Sequence, residues 1–107
     1  MIPTRSKIQD QYAIESDSVY RFLDTHLELS DLLLEAAEQI QAYFPDSQRY
    51  LEVDIDPETT EVKLLLSIEP QFDFDEAVNR LEQFEQDWWL DNFNRAESRL
   101  TIILAYL

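Results

Sequence analysis

His26 is the only histidine of the chain. For it to serve as a metal ligand or general base it would need partners at defined spacing. No His-x-x-x-His pattern is present. Asp24 and Ser30 lie near it in sequence, but not in an arrangement that fixes a triad. A place on a helix surface or seam is the expected role. Asp54-x-Asp56-x-Glu58 sets three carboxylates on alternate positions, in the manner of a calcium loop. Such a loop also needs a Gly at its bend and a bidentate acid at its end. Pro57 intervenes and the chain has no Gly, so a solvated hairpin turn is expected and no metal. Carboxylate pairs for glycoside hydrolysis must face each other across a cleft. Among 23 Asp and Glu some pair always qualifies by spacing, so the pattern identifies nothing.

The residue types that are missing exclude more. Without Cys there are no thiolate metal sites, disulfides or cysteine nucleophiles, which suits a reducing cytoplasm. Without Gly there is no phosphate-cradling loop of the P-loop or dinucleotide type. No catalytic residue, metal or cofactor is therefore expected, and the chain reads as a non-enzyme.

The constellation with most content joins aromatics to acids. Trp88-Trp89-Leu90 follows Leu81 and Phe84, which place Trp88 on a core stripe. Neighbours on a helix diverge by about 100°, so Trp89 is expected toward the edge of that stripe. With Phe93 it is a candidate anchor at a protein interface, where such residues are enriched; capping the core is its structural alternative. Glu82 with Glu85, and Asp87 with Asp91, are same-face neighbours whose like charges do not favour the helix. They are either a solvated face or a carboxylate array offered to a basic protein.

The overall charge agrees with the second reading. Twenty-three acids against eight Lys and Arg in 107 residues leave a formal charge of −15. This disfavours nucleic acid and anionic membrane and favours encounter with basic partners. Disorder would require low hydrophobicity as well, whereas 45% of residues are apolar and 12% aromatic. The expectation is one folded acidic domain, residues 1–107. Its N-terminus lacks a signal-peptide pattern and no run is long enough to span a membrane.

These residues must be positioned by the following elements. Residues 1–15 read as a flexible arm or an edge strand, with Ile8, Tyr12 and Ile14 loosely alternating. From Asp17 the apolar spacing is helical. Ser30 is a candidate N-cap, so two helices are expected to meet near Leu29-Ser30 and to stop at Pro45. A 4-3-4-3 spacing from Val19 to Phe44 would also suit one long helix. Residues 48–69 alternate as a β-hairpin around Asp56-Pro57-Glu58-Thr59-Thr60. Asp73 caps a helix expected to run from Phe74 to about Leu90, with Asn92-Phe93-Asn94 as its terminator. Leu100 to Leu107 is a strand apolar on both faces.

The fold class is then α+β, a small antiparallel or mixed sheet with helices on one face. If the last strand joins the first, the sheet order is 2-1-3. The opposite face would be only partly covered, with Leu65, Ile103 and Ala105 on it.

The block Asp75-Glu76-Ala77, Leu81 to Leu90 and Leu100-Thr101-Ile102, with Phe-x-x-x-Trp-Trp-Leu as its most specific part, resembles a group of small acidic bacterial proteins without an assigned activity. The likeness runs from about Leu51 to the C-terminus. By analogy with small acidic proteins of that kind, it implies an antitoxin-like or inhibitor-like protein that neutralises a basic partner. The alternatives are a DNA mimic, in which acid rows stand for phosphates, and a small carboxylate-dependent enzyme or metal binder. A homodimer, burying the two-sided last strand, is a further expectation. The partner-binding candidates are Trp89, Phe93, Glu82, Glu85, Asp87 and Asp91.

Overall fold

The computed structural model describes residues 4–105, and the expected strand ends at Tyr106 and Leu107 lie outside them. The elements are helix α1 (Thr4–Gln11), strand β1 (Ala13–Ile14), helices α2 (Asp17–Thr25) and α3 (Leu27–Tyr43), strands β2 (Gln48–Ile55) and β3 (Val62–Glu69), helix α4 (Phe74–Phe84) and strand β4 (Leu100–Leu104). They form an α+β fold with helices packed against a four-stranded mixed sheet. Strands β2 and β3 are the expected antiparallel hairpin, while β1–β2 and β3–β4 are parallel pairs.

The N-terminal residues differ from the expected arm or edge strand. Only Ala13 and Ile14 pair as a strand, and α1 precedes them. The spacing of four between Ile8 and Tyr12 is helical, and both side chains are buried in the core. The Tyr12 hydroxyl donates to the Leu33 carbonyl at 2.6 Å, which satisfies its polar end. Burial pushes its phenol well above the usual tyrosine range.

Two helices do replace the single long one, but the break is at His26, not at Leu29-Ser30. Ser30 lies buried inside α3 and caps nothing. Ser16 is the N-cap of α2, accepting from the Ser18 amide. At the break His26 leaves helical geometry (φ −136°, ψ 66°), and its ring stacks on Phe22 with centroids 4.3 Å apart. The Thr25 hydroxyl donates to the Phe22 carbonyl, which the α2 helix end leaves free. His26 thus sits half-buried at the non-helical joint between α2 and α3, and not on a helix surface or seam as expected.

The sheet order also departs from 2-1-3, because the C-terminal strand pairs with β3 and not with β2. One edge of β2 is taken by β1 at Tyr50–Leu51. Strand β4 returns through α4 as a parallel crossover, the connection such a pair requires. The result is that β3 lies inside the sheet, with an apolar inner face and a mixed outer face of Lys63, Leu65, Ser67 and Glu69. Leu64, Leu66 and Ile68 are fully buried against the helices, while Leu65 faces the other way.

With no Gly, turns fall on residues that pay sterically for left-handed backbone: Asp46, Thr60, Glu97 and Ser98 all have φ between 51° and 64°. The hairpin loop tolerates this because Asp56 organises it. Its carboxylate accepts from the Glu58 and Thr59 amides at 2.8 and 3.3 Å, an Asx turn. These amides hold the Asp56 carboxyl below the usual carboxylate range. The acid that might have suggested calcium is thus occupied by its own backbone.

Candidate functional site

Asp73 caps α4 as its sequence predicts, its carboxylate accepting from the Glu76 amide at 2.9 Å. Glu76 does not complete the capping box, because it accepts from Arg80 one turn later, at 2.8 Å. Ala77 and Phe84 are fully buried, and Leu81 and Trp88 flank them on the same stripe.

Beyond Phe84 the helix opens into a π turn, Glu85–Trp89, in which the Leu90 amide bonds to the Glu85 carbonyl five residues back. The expected uninterrupted helix to Leu90 is corrected here. A wider turn reduces the angle between successive side chains. Both tryptophans therefore reach the core edge, stacked with centroids 6.0 Å apart, and Trp88 sits 5.7 Å from Phe84. A helical turn at Leu90–Asn92 and a 3₁₀ turn at Phe93–Ala96 follow. The Asn92 side-chain amide donates to the Trp88 carbonyl at 2.7 Å where the α-helical turn ends, but helical turns continue through Ala96 and the left-handed cap is Glu97, later than the terminator expected at Asn92-Phe93-Asn94.

Two ties hold this segment beside α3. The Tyr43 hydroxyl donates to Asp87 at 2.5 Å. Arg95 forms a two-pronged pair with Glu35 and also donates to Asn92 at 3.1 Å. Residues 35 and 43 of α3 thus meet residues 95 and 87, so the two stretches run antiparallel. Arg80 adds a third brace: it donates to the Tyr43 carbonyl at 3.0 Å and stacks on Phe72, 4.0 Å from the ring centroid. Hydrogen bonds from Tyr43 and Gln83 keep the Asp87 carboxyl below its usual range, and the bond from Arg95 does the same for Glu35.

The sequence-derived residues now separate. Glu82, Asp91 and Phe93 are exposed, and Glu85 is half-buried. Trp89 is half-buried against the core edge, as is Trp88. Asp87 is exposed, but it is engaged by Tyr43 and Gln83. Two features went unread. Leu90 is 57% exposed beside Phe93 at 48%. In addition, Glu28, Asp31, Glu35 and Glu38 line one exposed face of α3. Their spacing of 3-4-3 was legible as a helical row. That this row borders the π-turn segment was not legible, since the Glu35–Arg95 tie joins residues 60 apart.

The face as a whole is acidic and carries two exposed apolar side chains, Leu90 and Phe93. Among the described residues no group of three acids, His or Cys is placed to hold a metal, and no helix is long and apolar enough to cross a membrane. Arg49, Arg80, Arg95 and Arg99 are each spent on bonds within the fold. Arg49, Arg80 and Arg95 thereby tie separate elements together, and eight Lys and Arg against 23 acids leave most carboxylates without a cation. No family model, no curated protein and no solved structure matches the chain.

Proposed function

We propose that this chain is a non-enzymatic protein-binding module that captures and neutralises a basic partner, in the manner of an inhibitor or antitoxin. Its α3/π-turn face is the docking surface. The observation that carries the reading is the exposure of Leu90 and Phe93 just after the π turn, in a stretch that Arg95 ties to Glu35 of the α3 acid row and that follows the acids Glu82 and Glu85. Acids steer a basic surface inward and set its orientation. The two apolar tips then lose water on contact and slow dissociation. A π turn is a common device at functional positions because it reorients side chains without ending the helix. The lack of cysteine suits action in the cytoplasm.

The test is affinity capture with the tagged chain and with a Leu90→Asp/Phe93→Asp variant, in low and moderate salt. The expected result is a basic protein retained by the former and lost by the latter, with retention falling as salt rises. Equal retention by both would overturn the reading. The row Glu28, Asp31, Glu35, Glu38 favours the DNA-mimic version of it, since consecutive carboxylates there stand about 5 Å apart along the axis. Duplex DNA added to the captured complex distinguishes the two: it displaces a mimic and leaves another inhibitor bound.

A further inference from the structure

The face of the sheet away from the helices carries a second surface. Cross-strand register places Tyr50, Glu52 and Asp54 of β2, Leu65, Ser67 and Glu69 of β3, and Thr101, Ile103 and Ala105 beside them on this one side. Small side chains at Ala13, Ser67 and Ala105 leave a trough across the strands, a concavity of about 480 Å³. Its floor is Tyr50, Leu65, Ile103 and Ala105, and Glu15 and Glu52 form its rim. The Tyr50 hydroxyl donates to Glu69 at 3.2 Å. Partial burial, then that bond and the charges of Glu69 and Glu15, push the phenol above its usual range. Both carboxylates are therefore within electrostatic reach of the trough.

Two physical points select an occupant. Parallel strand pairs are normally covered on both faces, and a central strand with Leu65 on its outer side follows that pattern. The patch of Leu65, Ile103 and Ala105 on this face is matched by apolar side chains of whatever covers it. The rim is anionic, and among the strand residues of this face the only cation, Lys63, is paired across from Asp54. A second copy of the chain would set Glu15, Glu52 and Glu69 against their own equivalents at a formal charge of −15 each, which disfavours it. We propose that the open sheet face is a docking groove for a basic amphipathic helix of a partner protein. The helix lays its apolar stripe on Leu65, Ile103 and Ala105 and sets its Lys or Arg side chains against Glu15, Glu52 and Glu69.

The proposal shares with the functional reading only the premise of a basic partner. A synthetic amphipathic helix of Leu and Lys is the probe, with a scrambled peptide of identical composition as control. Binding to the ¹⁵N-labelled full chain is followed by amide shifts and by fluorescence anisotropy. The expected result is that shifts map to Leu65, Ser67 and Ile103. Ile103→Glu, and separately Glu15→Lys/Glu52→Lys, which spares the apolar floor, should each weaken binding about tenfold or more. Phe93→Asp should leave it unchanged. Four results would overturn it: no binding, equal binding of the scrambled peptide, shifts confined to the α3/π-turn face, or sedimentation showing a dimer that Ile103→Glu dissolves. The third of these leaves the functional reading standing, and so separates the two.

Discussion

The α3/π-turn face and the open sheet face are built from the same ingredients, carboxylates around a few apolar side chains, yet they differ in shape and in bracing. The helical face exposes its apolar side chains, Leu90 and Phe93, at its surface. Its Glu35 and Asp87 are already bonded to Arg95 and Tyr43. The sheet face is concave, and its apolar residues form a floor. Its one internal hydrogen bond between side chains runs from Tyr50 to Glu69 among the described residues. The difference teaches that an acid's chemistry depends on what its neighbours already demand of it. Asp87 accepts from Tyr43 and Gln83, whereas among the described residues Glu82 and Asp91 accept no side-chain hydrogen bond.

The comparison can be broken most directly from the core. Phe84→Ala removes a fully buried ring beneath the π turn, and calorimetry should show a loss of about 3–5 kcal/mol. If the two faces are separate supports, amide exchange should rise first around Trp88 and Trp89 and only later in β2 and β3. Simultaneous loss of both would show that they are one cooperative unit.

A smaller effect separates binding from folding. Leu90→Asp/Phe93→Asp should reduce capture of a basic partner by about tenfold or more while shifting chemical denaturation little, because both side chains are exposed. The sheet-face peptide titration should be untouched in the same variant.

Thr60→Gly acts on neither face. It relieves a β-branched residue at φ 60° and should raise stability by about 1 kcal/mol in urea titration, leaving both binding assays as they were. A change in either assay would show that the hairpin loop contributes to a face.

The subtlest expectation concerns pH. Asp87 and Glu35 have lowered folded-state values. Their stabilising contribution is complete above the ordinary carboxylate range, about 4, and is lost as pH falls through the lowered values. Acid titration followed by tryptophan fluorescence should therefore loosen the helical face below that range, and Asp87→Asn/Glu35→Gln should flatten this limb. Tyr50 is raised, so its contribution is present below the ordinary tyrosine range and fades as pH rises through the raised value. Tyr43 is raised as well, chiefly by its bond to Asp87, so only the acid limb distinguishes the faces.

Local chemistry was legible residue by residue where it depended on near neighbours. The hairpin follows from strict alternation between Leu51 and Ile68, the α4 N-terminus from Asp73, and the exposed sheet face from Leu65, Ile103 and Ala105 opposing the core stripe. The helix break was displaced by four residues, because capping at Ser30 competes with burial of Ser30 in α3. The π turn left no mark of its own: a periodicity fixed at 3.6 residues cannot show where one turn widens to let two tryptophans reach the same edge.

By itself, then, the amino-acid sequence determined the class of fold, the large negative charge, the absence of thiol and glycine-loop chemistry, and the aromatic and acidic candidates on the last helix. Only the tertiary structure decided which of those candidates are free. Charge and periodicity are properties of neighbours along the chain. Whether β4 joins β2 or β3, whether Glu35 meets Arg95 and whether Tyr50 closes on Glu69 depend on contacts between distant residues. Such contacts form only when the whole core satisfies its burial and hydrogen bonds together.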